Sequence, residues 1–137
     1  VRNTTDSSDL LTITSSGDIY TNAWADYSAT STIVGFSAYT TKEIYTKKIG
    51  KLVFVQFNLV GTSNATGLTF TVPYAINSDS SGIHTCVIVD NGGTASGGRV
   101  DATASGSVIT VYKDVAGSAF TGSGGKAAYG TLIYQAA

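Results

Sequence analysis

The segment Leu52–Val60 constrains the fold of this chain more than any other. Residues at the odd positions of its sequence, LVFVQFNLV, are all apolar: Val53, Val55, Phe57 and Leu59. Residues at the even positions are mixed: Leu52, Phe54, Gln56, Asn58 and Val60. Because side chains alternate across a strand, these two sets face opposite sides. The pattern predicts a sheet that covers a core on one side and meets another sheet or subunit on the other.

The rest of the chain repeats this pattern in shorter pieces. Leu68, Phe70 and Val72 alternate with threonines. Pro73 then ends the strand, and Ile83–Asp90 is apolar enough to predict a buried strand. The 16 glycines against one proline supply turns between segments rich in Thr, Val, Ile and Tyr. We count about nine strands at the spacing of sandwiches and barrels, and predict an all-β, antiparallel β-sandwich.

The first twenty residues differ from the remainder. Residues 1–9 are polar and aperiodic, and Leu10–Thr14 and Ile19–Tyr20 predict two short strands around a tight turn. We therefore expect a connector with a short β-hairpin at residues 1–20, followed by one domain at residues 21–137. A chain of 137 residues has room for one hydrophobic core.

Charge and hydrophobicity exclude several classes of partner. The chain has 8 basic against 9 acidic residues and a net charge of -1, without a basic stripe, so nucleic acid is not an expected partner. No apolar run approaches the roughly 20 residues that cross a bilayer, so membrane insertion is not expected. Cys86 is the only cysteine, which excludes a disulfide within the chain.

Residues that carry catalysis are few. His84 is the only histidine, and it shares one strand face with Cys86 at i and i+2 without a third group to orient the pair. We expect a half-buried histidine beside a core cysteine. The acids fall mainly at turns, with no spacing that indicates the paired carboxylates of a glycosidase. Gly122–Lys126 lacks the first glycine of a phosphate-binding loop, and Ala127 stands where that motif needs Ser or Thr. We predict no enzyme, no cofactor and no metal site.

Aromatic side chains are the remaining functional feature. Tyrosine supplies 8 of the 14 aromatic residues, and the loops beside them carry Asn, Asp, Ser and Thr. Flat rings that stack on sugar C–H surfaces, with amides and carboxylates that bind hydroxyls, are typical of lectin-like sites. Since most of these tyrosines are expected at sheet edges or subunit contacts, we expect only two or three to be free for a ligand.

Several segments keep a characteristic order along the chain. They are Trp24-x-x-Tyr27, Ile44–Val53 (IYTKKIGKLV), Gly61–Ser63 (GTS), Leu68–Pro73 (LTFTVP), and Phe120–Lys126 (FTGSGGK) with Tyr129–Tyr134 (YGTLIY). Together they resemble the distal domains of bacteriophage tail fibres and related receptor-binding proteins. The start, Leu10–Ile19, is similar to the collar that joins a fibre shaft to its head.

The resemblance implies a homotrimeric all-β head, a sandwich or jelly roll, which attaches a virion to a host cell-surface receptor such as a glycan. It implies a location on the virion, outside the cell, and an upstream shaft or other virion proteins as further partners. The half-apolar outer face of Leu52–Val60 suits the seam between subunits of such a trimer.

Candidate ligand contacts come from three loops, Asn22–Tyr27, Asn77–Gly82 and Asn91–Gly98. Within them we predict contacts from Trp24, Tyr27, Asp79 and Asn91. Two alternatives to a receptor-binding head stay open. A structural virion protein, such as a capsid decoration or fibre-joining domain, would form the same trimer without a ligand. A non-catalytic carbohydrate-binding module would be a monomer with an exposed aromatic strip.

Overall fold

A computed structural model describes residues 12–13, 19–20, 23–80 and 82–137. The described residues contain strands and turns but no helix. The strands are β1 (Thr12–Ile13), β2 (Ile19–Tyr20), β3 (Ala25–Asp26), β4 (Ile33–Val34), β5 (Phe36–Ile49), β6 (Leu52–Ser63), β7 (Thr69–Thr71), β8 (Gly82–Val89), β9 (Ser96–Ala102), β10 (Val108–Tyr112) and β11 (Gly125–Gln135). The prediction of an all-β chain is confirmed.

Nine of these strands form one antiparallel sheet in the order β3-β5-β6-β11-β8-β9-β10-β7-β4. The sheet curls into a half-barrel. Its curvature brings β6 and β7, five places apart in the sheet, face to face, with the rings of Phe57 and Phe70 5.1 Å apart between their centroids. The core is the volume that the concave side of the sheet encloses.

Gly35 is the corner at which the chain passes from one border of the sheet to the other. It separates β4, the last strand at one border, from β5, which pairs with β6 near the opposite border. Its φ of 120° is one that residues with a side chain rarely adopt, and a Cβ there would lie 2.5 Å from the carbonyl oxygen of Gly67. Glycine is therefore required where the half-barrel turns back on itself.

The period-two pattern of β6 predicts its faces correctly. Val53, Val55, Phe57 and Leu59 are all buried, as are the predicted core residues of the later strand, Leu68, Phe70 and Val72. The prediction for Ile83–Asp90 is wrong in part, because only one face of β8 is buried. Cys86 and Ile88 lie in the core, whereas Ile83 is 70% exposed and Val87 is also exposed. A continuous apolar run does not show which sheet face has a cover.

Turn chemistry follows the sequence closely at two hairpins. Asn91 and Gly92 lie in the longer connection between β8 and β9, with φ values of 53° and 69°, and the Gly93 N–H donates to the Asp90 carbonyl (2.9 Å) across this left-handed pair. Ala104–Gly106 lies in the connection between β9 and β10, with Ser105 at φ 62°. Strand ends are less regular, since β6 continues through Ser63, three residues into the segment Gly61–Gly67 (GTSNATG), whose composition favours a turn.

The short strands β1 and β2 pair antiparallel, with Thr12 opposite Tyr20 and Ile13 opposite Ile19. They form a two-stranded sheet of their own. Residues 1–11, 14–18, 21–22 and 81 lie outside the described structure. The role of residues 1–20 as a connector stays a prediction.

Candidate functional site

The convex side of the sheet carries a cluster of apolar side chains that we call the apolar outer face: the exposed Leu52, Ile83 and Ile133 and the half-buried Phe54. Ile133 lies directly opposite Phe54 on the neighbouring strand. The Ile133 N–H donates to His84 Nε2 (3.3 Å), which holds the beginning of β8, with Ile83, against the same part of β11. Leu52 is 44% exposed and Ile133 42%, so these large side chains lack a cover within the described residues.

Polar residues follow the apolar outer face along the same strands. Gln56 pairs with Tyr45 on one side and Thr131 on the other, and Asn58 pairs with Glu43 and Tyr129. The Asn58 amide donates to Glu43 Oε2 (3.0 Å) beside a recess of about 130 Å³. The convex side is therefore divided into an apolar end near the β5–β6 turn and a more polar end.

A larger groove of about 320 Å³ lies where β3 meets β5, next to Tyr74. Its lining includes Thr46, Lys47, Lys48, Gly50 and Tyr74, with Ala23 and Ala25 on the β3 side. We call it the Tyr74 groove. The Lys48 ammonium lies 4.5 Å from the centroid of the Tyr74 ring. The groove thus combines an aromatic wall with the Lys48 ammonium, whereas Lys47, the preceding residue of β5, pairs with Phe54 of the convex face.

Trp24 and Tyr27, two of the predicted contacts, lie near this groove but do not line it. Trp24 is 43% exposed, and it does not line the groove although its neighbours Ala23 and Ala25 do. Tyr27 is half-buried and packs against the core, and its N–H donates to the Ile44 carbonyl (2.8 Å). Trp24 is accordingly the freer aromatic surface of this loop.

Asp79 and Asn91, the other two predicted contacts, lie at opposite ends of the sheet. The loop of Asp79 is attached to Gln135, which pairs with Leu52, whereas the Asn91 turn is attached to Gly125, which pairs with Thr62. Leu52 and Thr62 are separated by ten residues of β6, about 33 Å at the rise of a strand. The three predicted loops therefore do not form one site. The Asp79 loop and the Tyr74 groove share the end near the β5–β6 turn.

Cys86 is a core residue with little nucleophilic character at neutral pH. Burial raises the pKa of its thiol to about 11, although a hydrogen bond from the Gly98 backbone acts weakly in the opposite direction. His84 on the same strand face accepts its hydrogen bond from the Ile133 backbone. The pair has the surroundings of packing residues, since only a thiolate attacks well.

Alkaline pH is expected to destabilise the fold in part through Cys86. Because the folded-state pKa is raised from the ordinary 9.0 to about 11, the thiol contributes stability below pH 9 that is lost as the pH rises toward 11. The buried phenol of Tyr134, whose pKa is also raised by burial, acts in the same direction at higher pH. Urea unfolding at pH 7, 9 and 10.5 should show a smaller loss for Cys86→Ala than for the unchanged chain. Equal losses would contradict this assignment.

Lys126 is a buried lysine next to the glycine-rich segment Gly122–Gly125, whose composition favours a loop. It nevertheless belongs to β11, and its side chain is almost completely buried. Its ammonium donates to three carbonyl oxygens: Gly35 (3.2 Å), Ala65 (2.7 Å) and Gly67 (3.3 Å). Desolvation lowers the pKa of Lys126, partly offset by the charge of Asp90. With all three donors engaged, this lysine has a structural role.

In the part of the chain that the structure describes, His, Cys, Asp and Glu form no group of three that could hold a metal ion. Among the same residues, no helix is long and apolar enough to span a membrane. No protein family, curated protein or solved structure matches the chain.

Proposed function

We propose that this chain is the receptor-binding head of a bacteriophage tail fibre, a homotrimer that attaches the virion to a host cell-surface glycan. In this proposal the facing halves of the curled sheet act as the two layers of a jelly-roll-like sandwich. The convex side forms the seam between copies, and the loops and grooves that remain outside the seam contact the host.

One observation carries the proposal, which is the apolar outer face. Leu52, Phe54, Ile83 and Ile133 form a cluster of large apolar side chains on the regular face of a sheet, and Ile83 is 70% exposed. Burial of an apolar side chain of this size is worth roughly 1.5–3 kcal/mol. Clusters of this kind on a folded surface mark sites of protein association. The low charge of the chain, 12% of its residues, supports the same use.

Replacing Ile133 with lysine is expected to dissociate the assembly. The new ammonium would lie between Phe54 and the beginning of β8, where the proposed seam leaves it without water or a counter-ion. Light scattering should show the trimer mass for the unchanged chain and the monomer mass for Ile133→Lys. The matched control is Val115→Lys, since Val115 is 61% exposed in the loop after β10 and away from this face.

Both variants must keep the circular dichroism spectrum and the urea midpoint of a folded chain for this comparison to count. Ile133→Lys that stays folded and trimeric would place the seam elsewhere and contradict the assignment. A folded monomer with Val115→Lys still trimeric would support it.

Attachment is tested separately, with host envelope fractions and a glycan array. The trimer is expected to bind an envelope fraction, and soluble glycan is expected to compete. A trimer that binds no envelope fraction would instead favour a structural virion protein. A monomer that binds glycan would favour a carbohydrate-binding module.

A further inference from the structure

We propose that the Tyr74 groove binds an acidic saccharide, a sugar unit that carries a carboxylate or a phosphate. This inference rests on the proposed attachment function and narrows the class of glycan. It is carried by the positive charge of Lys48, by the aromatic wall of Tyr74 beside it, and by the shape of the space between β3 and the β5–β6 turn.

The groove contains an uncompensated positive charge, the ammonium of Lys48, and none of its lining residues is acidic. Within the described residues the salt bridges are Arg99–Asp101 and Lys113–Asp90, so Lys48 is not neutralised by a described acid within 4 Å. A ligand anion would therefore gain charge-assisted hydrogen bonds without first breaking an ion pair.

Asp26, the acid closest along β3, does not supply the missing counter-charge. It follows the lining residue Ala25 and, by alternation, faces the other side of that strand. Hydrogen bonds to its carboxylate from the Ser28 hydroxyl and from the Ser28 N–H (2.9 Å) lower its pKa. The groove keeps its positive character beside an acid that is already engaged.

Tyr74 supplies the aromatic wall of the groove. Its half-buried ring packs against the core, so it is a fixed wall, and the Lys48 ammonium rests 4.5 Å from its centroid. Beside that ammonium, the part of the Tyr74 ring that borders the groove offers an apolar surface to the C–H groups of a sugar ring, and the tyrosine hydroxyl is a hydrogen-bonding group. Cation and aromatic surface together favour a ligand with both an anionic group and a pyranose-like body over a bare ion.

The groove also has the size and openness that a sugar unit needs. Its volume of about 320 Å³ falls at the lower end of the range for small-molecule sites and suits a sugar unit. Gly50 forms part of the wall, and a Cβ at that position would meet nothing within 4 Å, so the space above this turn is open. Three such grooves on a trimer would reinforce one another, so each contact can be weak.

The experiment is a titration of the isotope-labelled chain, followed by the backbone amide signals in two-dimensional NMR. The probes are glucuronic acid, glucose 1-phosphate, glucose and inorganic phosphate. Acidic sugars are expected to shift the amides of Lys47–Gly50 and Tyr74, with at least tenfold weaker binding of glucose and of inorganic phosphate. Raising the salt concentration is expected to weaken binding of the acidic sugars. Comparison of the first two probes distinguishes a carboxylated from a phosphorylated source.

The variant Lys48→Gln is expected to bind the acidic sugars at least tenfold more weakly. The chain supplies a matched control in Lys42→Gln, because Lys42 lies on the same strand and its ammonium also faces a tyrosine ring, at 5.6 Å from the centroid of Tyr39, outside the groove. Lys42→Gln should change the affinity less than twofold. Equal effects of the two variants, equal affinity for glucose, or equal affinity for inorganic phosphate would each overturn the proposal.

Failure of this inference is separable from failure of the proposed function. A trimer that binds the host envelope with Lys48→Gln as well as with the unchanged chain would overturn the groove alone. Acidic sugars bound at the groove of a chain that is monomeric and inert toward envelope fractions would support the groove and contradict the attachment head.

Discussion

Replacing Lys126 with methionine is expected to lower the free energy of unfolding by about 3 kcal/mol. Methionine fills a similar volume but removes the donor that the carbonyls of Gly35, Ala65 and Gly67 share. Buried acceptors left without a partner each cost about 1–3 kcal/mol. The rings of Phe36 and Phe120, within 5.8 Å and 4.8 Å of the ammonium, lose their cation as well.

Urea unfolding measures this effect directly, through the midpoint and the slope of the transition. Lys51→Met is the matched control, since Lys51 is an exposed lysine in the turn between β5 and β6. Its midpoint should stay close to that of the unchanged chain. An unchanged midpoint for Lys126→Met would show that water can replace the ammonium at the three carbonyls, and would contradict a stabilising role for Lys126.

Replacing Phe57 with alanine is expected to destabilise the fold by about 4 kcal/mol. Phe57 is buried on the concave face of β6, with its ring 5.1 Å from that of Phe70 on the strand across the core. Truncation removes the contact between the two halves of the sheet and leaves a cavity that the curved strands cannot easily fill. Phe57→Leu, which retains most of the volume, should cost much less.

The half-buried Phe54 is the internal comparison, because it lies on the convex face of the same strand. Phe54→Ala should cost the isolated chain little, although it should weaken the proposed assembly. Thermal or urea unfolding of these three variants checks the prediction. Equal losses for Phe57→Ala and Phe54→Ala would contradict the assignment of the concave side as the core.

The alternation of apolar and polar residues predicted much of the fold, because successive side chains of a strand face opposite sides of the sheet. The alternation in Leu52–Val60 predicted the buried residues of β6 correctly, and Asn91-Gly92 adopts the left-handed turn that this residue pair favours, since both depend on backbone geometry within a few residues. The same logic failed for Ile83–Asp90. Whether the second face of a strand is covered depends on the distant parts of the chain, so the run of apolar residues could not distinguish β8 from a fully buried strand.

The candidate site was less predictable, because it is made of contacts between distant segments. Nothing near Lys126 indicates a buried cation, since its acceptors come from residues 59 to 91 positions away. Lys48 and Tyr74 meet only because β5 and the segment after β7 converge at one end of the sheet. Trp24 is exposed, but it does not line the groove, and its predicted ligand contact stays a prediction.

The proposed attachment head depends on self-association through the apolar outer face, and the mass of the unchanged chain in solution is the decisive measurement. Sedimentation equilibrium at micromolar concentrations should give about 42 kDa, the mass of three 14.0-kDa chains. A particle of 14.0 kDa across that concentration range would contradict the claim, because Ile83 and its neighbours would then remain exposed to water with no partner copy to cover them.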